Sequence, residues 1–113
     1  MNLTNKHLLR RLIKKNRGNK KLLDAITKLI DDIENSNWKT PNEIIETRPD
    51  ADSVYAGKFY FFNINIHRTM ILIEFEENGE ATIVWAGDHD DYELTFQNNR
   101  TVIKKWLKKK HWI

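Results

Sequence analysis

A histidine and a tyrosine stand three residues apart where an apolar stretch of the chain ends. Residues 81–92 have the sequence ATIVWAGDHDDY, in which acidic neighbours flank His89 and Tyr92 follows closely. Because imidazole has an ordinary pKa of about 6.5, His89 can donate or accept a proton near neutral pH. A tyrosine can hydrogen-bond a phosphate or stack on a base. The segment therefore predicts acid–base chemistry at the rim of a sheet.

The aspartates around His89 leave other interpretations open. Because negative neighbours stabilise an imidazolium, the sequence favours an acid or electrostatic role for His89 over a base. Asp88, Asp90 and Asp91 are also hard oxygen ligands, so a Mg²⁺-dependent nuclease is a rival hypothesis, although no distant carboxylate pair joins them. The structural alternative is that Asp88 or Asp90 caps a helix, His89 pairs with an acid, and Tyr92 packs half-buried.

Two amphipathic helices are predicted to cover the sheet. Residues 4–15 and 20–35 carry apolar side chains at helical spacing with Lys and Arg between them. We expect these helices to form a hairpin that packs on the sheet. Their inward-facing residues are expected to be Leu8, Leu9, Leu12, Ile13, Leu22, Leu23, Ile26, Leu29, Ile30 and Ile33.

A third, short helix is predicted to begin after Thr40. Thr40 and Glu43 can form a capping box, and Pro41 suits the first helical position. A second proline soon follows, so residues 50–53 are expected to form a loop. Trp38 is expected to be a core anchor between helix and sheet.

The middle of the chain predicts a meander of at least three antiparallel strands. Residues 58–65, 67–76 and 81–86 are rich in apolar and aromatic side chains. An Asn78-Gly79 pair, a strong hairpin signal, separates the last two. Because the aromatic side chains of residues 59–62 alternate across a strand, we expect half of them in the core and the rest on a partner-facing surface.

The end of the chain predicts a basic helix. Residues 99–110 alternate apolar and lysine faces, and residues 90–96 add one or two helical turns. The fold class is therefore α+β, a small antiparallel sheet covered by an N-terminal helical hairpin, with a basic C-terminal helix. At this length we expect a single domain over residues 1–113. The inward residues of the last helix are Val102, Ile103, Trp106 and Leu107; the outward ones are Lys104, Lys105, Lys108 and Lys109.

Composition and charge narrow the classes of function. The chain has no cysteine, which excludes disulfides, zinc–thiolate sites and thiol nucleophiles. No signal peptide and no membrane span are expected, because no long apolar run occurs. Residues 1–28 contain nine Lys or Arg and one acidic residue. Residues 29–93 contain four Lys or Arg and fifteen acidic residues, and residues 94–113 contain six Lys or Arg and no acidic residue. Basic ends suit binding to RNA phosphates, although solvated helix faces explain them as well.

Three segments, in order, resemble a known family. They are residues 37–44 (NWKTPNEI), 61–73 (FFNINIHRTMILI) and 89–93 (HDDYE). They are similar to the Trp-Lys-x-Pro-x-Asp/Glu-Ile element, the Val-Phe-Asn-Ile…Tyr-Arg-Leu-Ile hairpin and the His-x-Glu-Tyr-Asp ending of HigB-type toxins. These belong to the RelE superfamily and are the toxin half of bacterial toxin–antitoxin pairs.

The resemblance implies a RelE-like fold and an mRNA interferase that cuts messages on the translating ribosome in the bacterial cytoplasm. It implies that a tightly bound, HigA-like helix-turn-helix antitoxin silences the toxin. It also implies that no metal or other cofactor is needed, since the RNA 2′-OH is the nucleophile. DNA is expected as a partner only through the toxin–antitoxin complex, and no membrane partner is expected.

The resemblance also assigns site residues. Those that match the family's catalytic positions are Arg68, His89 and Tyr92. Possible auxiliary residues are Asn63, which matches the hairpin asparagine, and Lys58 and His67, which lie nearby in the predicted strands. Candidates for contact with RNA or ribosomal phosphates are Lys104, Lys105, Lys108 and Lys109.

Two departures from the family pattern keep a second function open. Asp88 stands where the family commonly has Thr, and Asp90 where it has Ala or Lys. Negative charge beside a phosphate site disfavours cutting. The alternative is therefore a catalytically degenerate RelE-fold module that binds antitoxin or ribosome without cleaving RNA. A sequence-specific DNA binder is a weaker alternative, because no recognition-helix motif is present.

Overall fold

The computed structural model describes residues 1–113 as five helices and five strands. In chain order the elements are β1 (Asn2–Thr4), α1 (His7–Lys15), α2 (Lys20–Glu34), α3 (Pro41–Thr47), β2 (Asp52–Tyr55), β3 (Phe59–Ile64), β4 (His67–Glu74), β5 (Glu80–Gly87), α4 (His89–Phe96) and α5 (Arg100–Lys109). The strands form one mixed sheet in the order β1-β5-β4-β3-β2. β1 pairs parallel with β5, and the other neighbours pair antiparallel. The predicted α+β class is confirmed.

Two short edge strands lie where the sequence predicts other structure. β1 overlaps the start of the predicted first helix, because buried Leu3 pairs with Ala81 of β5 and α1 begins only at His7. β2 takes up half of the predicted loop over residues 50–53, and Val54 is its only buried residue. Edge strands this short and polar give a weak alternation signal, because few of their side chains are buried.

Helices cover both faces of the sheet. One apolar core lies under α1, α2 and α3, and the other lies under α4 and α5. All four aromatic residues at positions 59–62 are at most 2% exposed, so the expectation that half of them face a partner is wrong. A strand that is covered on both faces has a continuous run of apolar residues. The sequence pattern of the strand alone does not show whether its second face is covered or exposed.

The helix starts follow the predicted capping chemistry. The Thr40 hydroxyl accepts a hydrogen bond from the Glu43 N–H at 3.4 Å, with Pro41 at the first helical position. Trp38 is buried as expected, and its indole N–H donates to the hydroxyl of Thr47 at 3.2 Å. Leu23 differs from expectation, because it is 44% exposed on α2. None of the five helices combines the length and apolarity needed to cross a bilayer.

Candidate active site

Arg68 and Tyr92 form the centre of the candidate site. Arg68 is the second residue of β4, where it pairs with Asn63 on one side and with Gly87 on the other. Alternation along β4 places it on the same face as Met70, under α4 and α5. The Arg68 Cζ atom lies 4.4 Å from the centre of the Tyr92 ring. A cation–π contact of this kind contributes about 0.5–2 kcal/mol, so it holds the guanidinium in place.

The Tyr92 ring is part of the core. It is 1% exposed and packs edge-to-face on Phe61 with 5.0 Å between ring centres. Its hydroxyl donates a hydrogen bond to the Oδ1 atom of Asn98 at 3.0 Å. Burial raises the pKa of the Tyr92 phenol, and the Arg68 guanidinium opposes that rise. Tyr92 is therefore a neutral side chain with no free ring face for a base to stack on.

A β-bulge and a glycine set the end of β5. The pairing register between β4 and β5 shifts beside Met70, which leaves Val84 as an extra residue in β5. A Cβ atom on Gly87 would lie 2.6 Å from the Trp85 ring and 3.2 Å from the Cβ atom of Asp91. Only glycine therefore allows α4 to pack this closely against the strand end. In the sequence the only signal for this role of Gly87 is a glycine directly before the acidic segment, which is too weak to predict it.

His89 begins α4 and is open to solvent. The Asp88 carboxylate caps the helix, accepting a hydrogen bond from the Asp91 N–H at 2.7 Å. The His89 side chain is 62% exposed, and its Nε2 atom lies 3.8 Å from the Oε1 atom of Glu93. Glu93, one helical turn away, is therefore its charged partner, in place of the expected aspartates. The Asp88 cap and the pairing of His89 with Glu93 agree with the alternative in which this segment has a purely structural role. The exposure of the His89 side chain nevertheless leaves it free to contact a substrate.

Arg68 and His89 line the same cavity, which has a volume of about 440 Å³. The remaining lining residues come from the β3–β4 hairpin; they are Asn63, Asn65, Ile66 and His67. No Asp or Glu belongs to the lining. An anionic group that enters therefore meets one permanent cation, Arg68, and two imidazoles, those of His67 and His89.

Two of the three auxiliary candidates lie at this cavity. Asn63 is exposed there, whereas His67 is only 4% exposed and its Nδ1 atom is buried without a hydrogen-bond partner in the protein. Lys58 does not line the cavity. It lies just before the start of β3, and the cavity lies where that strand ends, so the structure separates Lys58 from the site.

A half-buried ion-pair cluster supports the end of β3. Arg48 places its Nη1 atom 3.2 Å from Asp32 and its Nη2 atom 2.8 Å from Asp50. It also donates to the backbone oxygen of Asn63 at 3.0 Å, and Asp50 accepts from the Asn63 N–H at 2.9 Å. The sequence does not reveal this cluster, because it joins Asp32 of α2 to residues of a later loop.

The four lysines of α5 are exposed and do not line the cavity. The helix packs on the sheet through Ile103 and Leu107, and the Trp106 ring lies 5.2 Å from that of Phe96. None of the lysines takes part in a salt bridge. They are Lys104, Lys105, Lys108 and Lys109.

Two larger cavities are poor sites for a polyanion. One, of about 520 Å³, lies at the β4–β5 turn, and the other, of about 580 Å³, lies between α2 and α3. Each is lined by four Asp or Glu residues and by no Lys or Arg, so both repel phosphates. No group of three or more His, Asp or Glu side chains is arranged to hold a metal ion. Asp88, His89, Asp90 and Asp91 are therefore not arranged as such a group.

A small sheet with helices on both faces and an Arg–His cavity at its strand ends is compatible with RelE-like toxins. The model of the HigB_toxin family, described as the RelE-like toxic component of a toxin–antitoxin system, matches residues 23–95. The match spans well over half of the chain and includes Arg68, His89 and Tyr92. The chain therefore belongs to the HigB_toxin family, which confirms the resemblance seen in the sequence.

Family membership sets the general role of the protein. It is the toxic component of a toxin–antitoxin system, and an antitoxin is its partner. The matched region begins within α2 and ends within α4, so β1, α1 and α5 lie outside it. No curated protein matches the chain significantly.

Proposed function

We propose that this toxin is an endoribonuclease that cuts mRNA on the translating ribosome. The observation that carries the proposal is the cavity shared by Arg68 and His89, a cation and a proton-transfer group without a carboxylate between them. Such a pair suits a phosphodiester, whose charge increases during cleavage. Membership of a RelE-like toxin family supports the same class of reaction.

The cleavage uses the RNA's own 2′-OH. Its oxygen attacks the adjacent phosphorus, the bond to the 5′-oxygen breaks, and a 2′,3′-cyclic phosphate and a 5′-OH are formed. Arg68 donates hydrogen bonds to the non-bridging oxygens and offsets the charge of the phosphorane. His89, as the imidazolium, gives its proton to the leaving 5′-oxygen. The proton of the 2′-OH passes to solvent at the open side of the cavity, so this scheme needs no metal or cofactor.

Tyr92 acts on Arg68 in this scheme and does not touch RNA. The guanidinium rests over a buried ring, so its orientation is set before the substrate arrives. Asn63 and His67 line the same cavity and remain auxiliary candidates.

The partners follow from the same proposal. The ribosome holds the message, and the exposed lysines of α5 contact ribosomal phosphates. A HigA-like helix-turn-helix antitoxin neutralises the toxin, and DNA is reached only through that complex. An enzyme that acts on translating ribosomes works in the bacterial cytoplasm.

One observation favours a second candidate function, a degenerate module that binds antitoxin or ribosome without cutting RNA. Asp88, Asp90 and Asp91 are exposed beside His89, and Glu93 lies 3.8 Å from its ring. This negative charge weakens the attraction of the helix start for phosphate. Loss of His89 would then leave the phenotype unchanged.

Growth arrest in cells separates the two candidates. We expect wild type to stop growth when it is expressed without its antitoxin, and Arg68→Ala or His89→Ala to relieve the arrest. His7→Ala, an exposed histidine on α1, is the matched control and should remain toxic. Circular dichroism checks that each variant is folded. A folded Arg68→Ala/His89→Ala double variant that still arrests growth would rule out the catalytic assignment.

A further inference from the structure

The turn between α1 and α2 carries an apolar crevice that no side chain of the protein fills. We call it the α1–α2 crevice; its volume is about 350 Å³. Its walls are almost entirely carbon, because the basic side chains contribute their aliphatic stems. The lining residues are Ile13, Lys14, Asn16, Arg17, Gly18, Asn19, Lys20 and Leu23.

Leu23 is exposed here although the sequence predicts it to be inward-facing. The buried stripe of α2 is formed by Leu22, Ile26, Leu29 and Ile33. Leu23 follows Leu22 and is therefore rotated by about 100° around the helix, away from the core. At 44% exposure its side chain faces the crevice and contributes little to the main core.

The surface around the crevice has a dense positive charge that the protein does not neutralise. Seven Lys or Arg residues occur between positions 10 and 21, and the first acid in the chain is Asp24. All seven are exposed, and none takes part in a salt bridge. They are Arg10, Arg11, Lys14, Lys15, Arg17, Lys20 and Lys21.

We propose that the α1–α2 crevice is a docking site for an acidic segment of a partner protein. The segment inserts an aliphatic side chain against Leu23 and places carboxylates against Lys14, Arg17 and Lys20. An RNA strand matches the charge but leaves the apolar wall unfilled, whereas an acidic amphipathic segment matches both. The charge complementarity and the apolar anchor point therefore point to a protein.

We assign this segment to the antitoxin, a step that rests on the toxin role of the chain. The crevice shares no residue with the active-site cavity. Helices α1 and α2 also cover the face of the sheet opposite to that of Arg68 and Tyr92. An antitoxin segment bound there holds the toxin without entering the site, so docking and cutting are separable properties.

Fluorescence anisotropy on the purified protein tests the docking directly. The probe is a labelled helical peptide with leucines at positions i and i+4 on one face and glutamates on the other. A second peptide has serines in place of the leucines, and a labelled single-stranded RNA is the third probe. The variants are Leu23→Ser and, as matched control, Ile45→Ser, because Ile45 is 45% exposed on α3 outside the crevice.

The expected result is that wild type binds the leucine peptide about tenfold more tightly than the serine peptide. Leu23→Ser should lose that preference and Ile45→Ser should keep it, with both variants unfolding at the wild-type temperature. No binding of the leucine peptide, equal binding of both peptides, or equal effects of the two variants would overturn the proposal. Tighter binding of RNA that does not depend on Leu23 would overturn it in favour of a nucleic-acid surface. Because this experiment measures peptide binding and not RNA cutting, its result can be interpreted even if the protein is not a ribonuclease.

Discussion

The guanidinium of Arg68 lies 4.4 Å from the centre of the Tyr92 ring, and that ring is only 1% exposed. Arg68 belongs to β4 and Tyr92 to α4, the helix that begins with His89. The contact therefore fixes the position of Arg68 relative to α4, the helix that carries His89. In the proposed reaction Tyr92 is therefore a positioning residue, and its ring is expected to matter more than its hydroxyl.

Replacing Tyr92 separates the ring from the hydroxyl. Tyr92→Phe keeps the cation–π contact and loses the hydrogen bond to Asn98, so we expect a loss of about 1 kcal/mol in unfolding free energy and near-normal cutting. Tyr92→Leu loses the ring, so we expect cutting to fall by about tenfold or more. Urea unfolding and single-turnover cutting rates measure the two effects. A folded but inactive Tyr92→Phe would show that the phenol itself takes part in the reaction.

Alkaline pH should weaken the fold through two buried tyrosines. Burial raises the pKa of Tyr60 and of Tyr92 above the ordinary value of 10.0, so both stay protonated to higher pH in the folded protein than in the unfolded chain. Their contribution is fully present below pH 10.0 and is lost as the pH rises through the folded pKa values. Urea unfolding across this range should show a shallower decline for Tyr92→Phe. An equally steep decline would contradict the assignment to Tyr92.

The ion-pair cluster of Arg48 should be a main support of the β3 end of the site. Arg48→Ala leaves the carboxylates of Asp32 and Asp50 without their shared cation, and we expect a loss of about 3 kcal/mol. Arg100→Ala is the control, because the ion pair between Arg100 and Asp52 is largely exposed and contributes about 1 kcal/mol or less. Denaturant unfolding of both variants provides the comparison. Equal losses would mean that the Arg48 cluster is no more important than a surface pair.

Gly87 should tolerate no side chain. In Gly87→Ala the new Cβ atom would lie 2.6 Å from the Trp85 ring and 3.2 Å from the Cβ atom of Asp91. The ring must therefore move and α4 must give way slightly, at a cost of about 1–3 kcal/mol. We expect the rate of RNA cutting to fall together with the stability, because His89 moves relative to Arg68. Asp88→Asn is the matched control for stability, since asparagine caps a helix as well as aspartate does. Wild-type activity and stability in Gly87→Ala would contradict the close packing described above.

The lysines of α5 should contribute to ribosome binding through phosphates. Lys104→Gln/Lys108→Gln is expected to weaken binding and to reduce the slope of log affinity against log salt by about 1.5. Lys39→Gln/Lys58→Gln, two exposed lysines outside α5, is the control and should change the slope less. Filter binding to purified ribosomes over a range of salt concentrations measures both slopes. Identical slopes for the two double variants would mean that α5 has no specific role.

The sequence predicted the parts of the fold that have strong local signals. The capping box at Thr40 and the helical spacing of residues 20–35 correspond to α3 and α2. The short edge strands β1 and β2 were missed, because strands of only three or four residues carry no clear period. Burial of the aromatic residues 59–62 on both faces depends on α4 and α5 packing on the second face, which no local pattern of β3 encodes.

The sequence also predicted the family, whereas the surroundings of the candidate site residues were visible only in the structure. The types and order of Arg68, His89 and Tyr92 were enough to suggest the family. The burial of Tyr92 and the pairing of His89 with Glu93 depend on tertiary packing and helix phase. The bulge at Val84 and the contacts of Arg48 were not visible, because both involve residues distant in the sequence.

The measurement that tests the central claim most directly is primer extension on a defined message in a translating extract. Wild type, His89→Ala and His7→Ala are compared, and chelator is added to parallel samples only after translation is stopped, because ribosomes need Mg²⁺. We predict new 5′ ends at codon positions for wild type and His7→Ala, unchanged by chelator and lost in His89→Ala. No new 5′ ends for wild type, despite binding to ribosomes or antitoxin, would contradict the claim that this cavity cuts RNA.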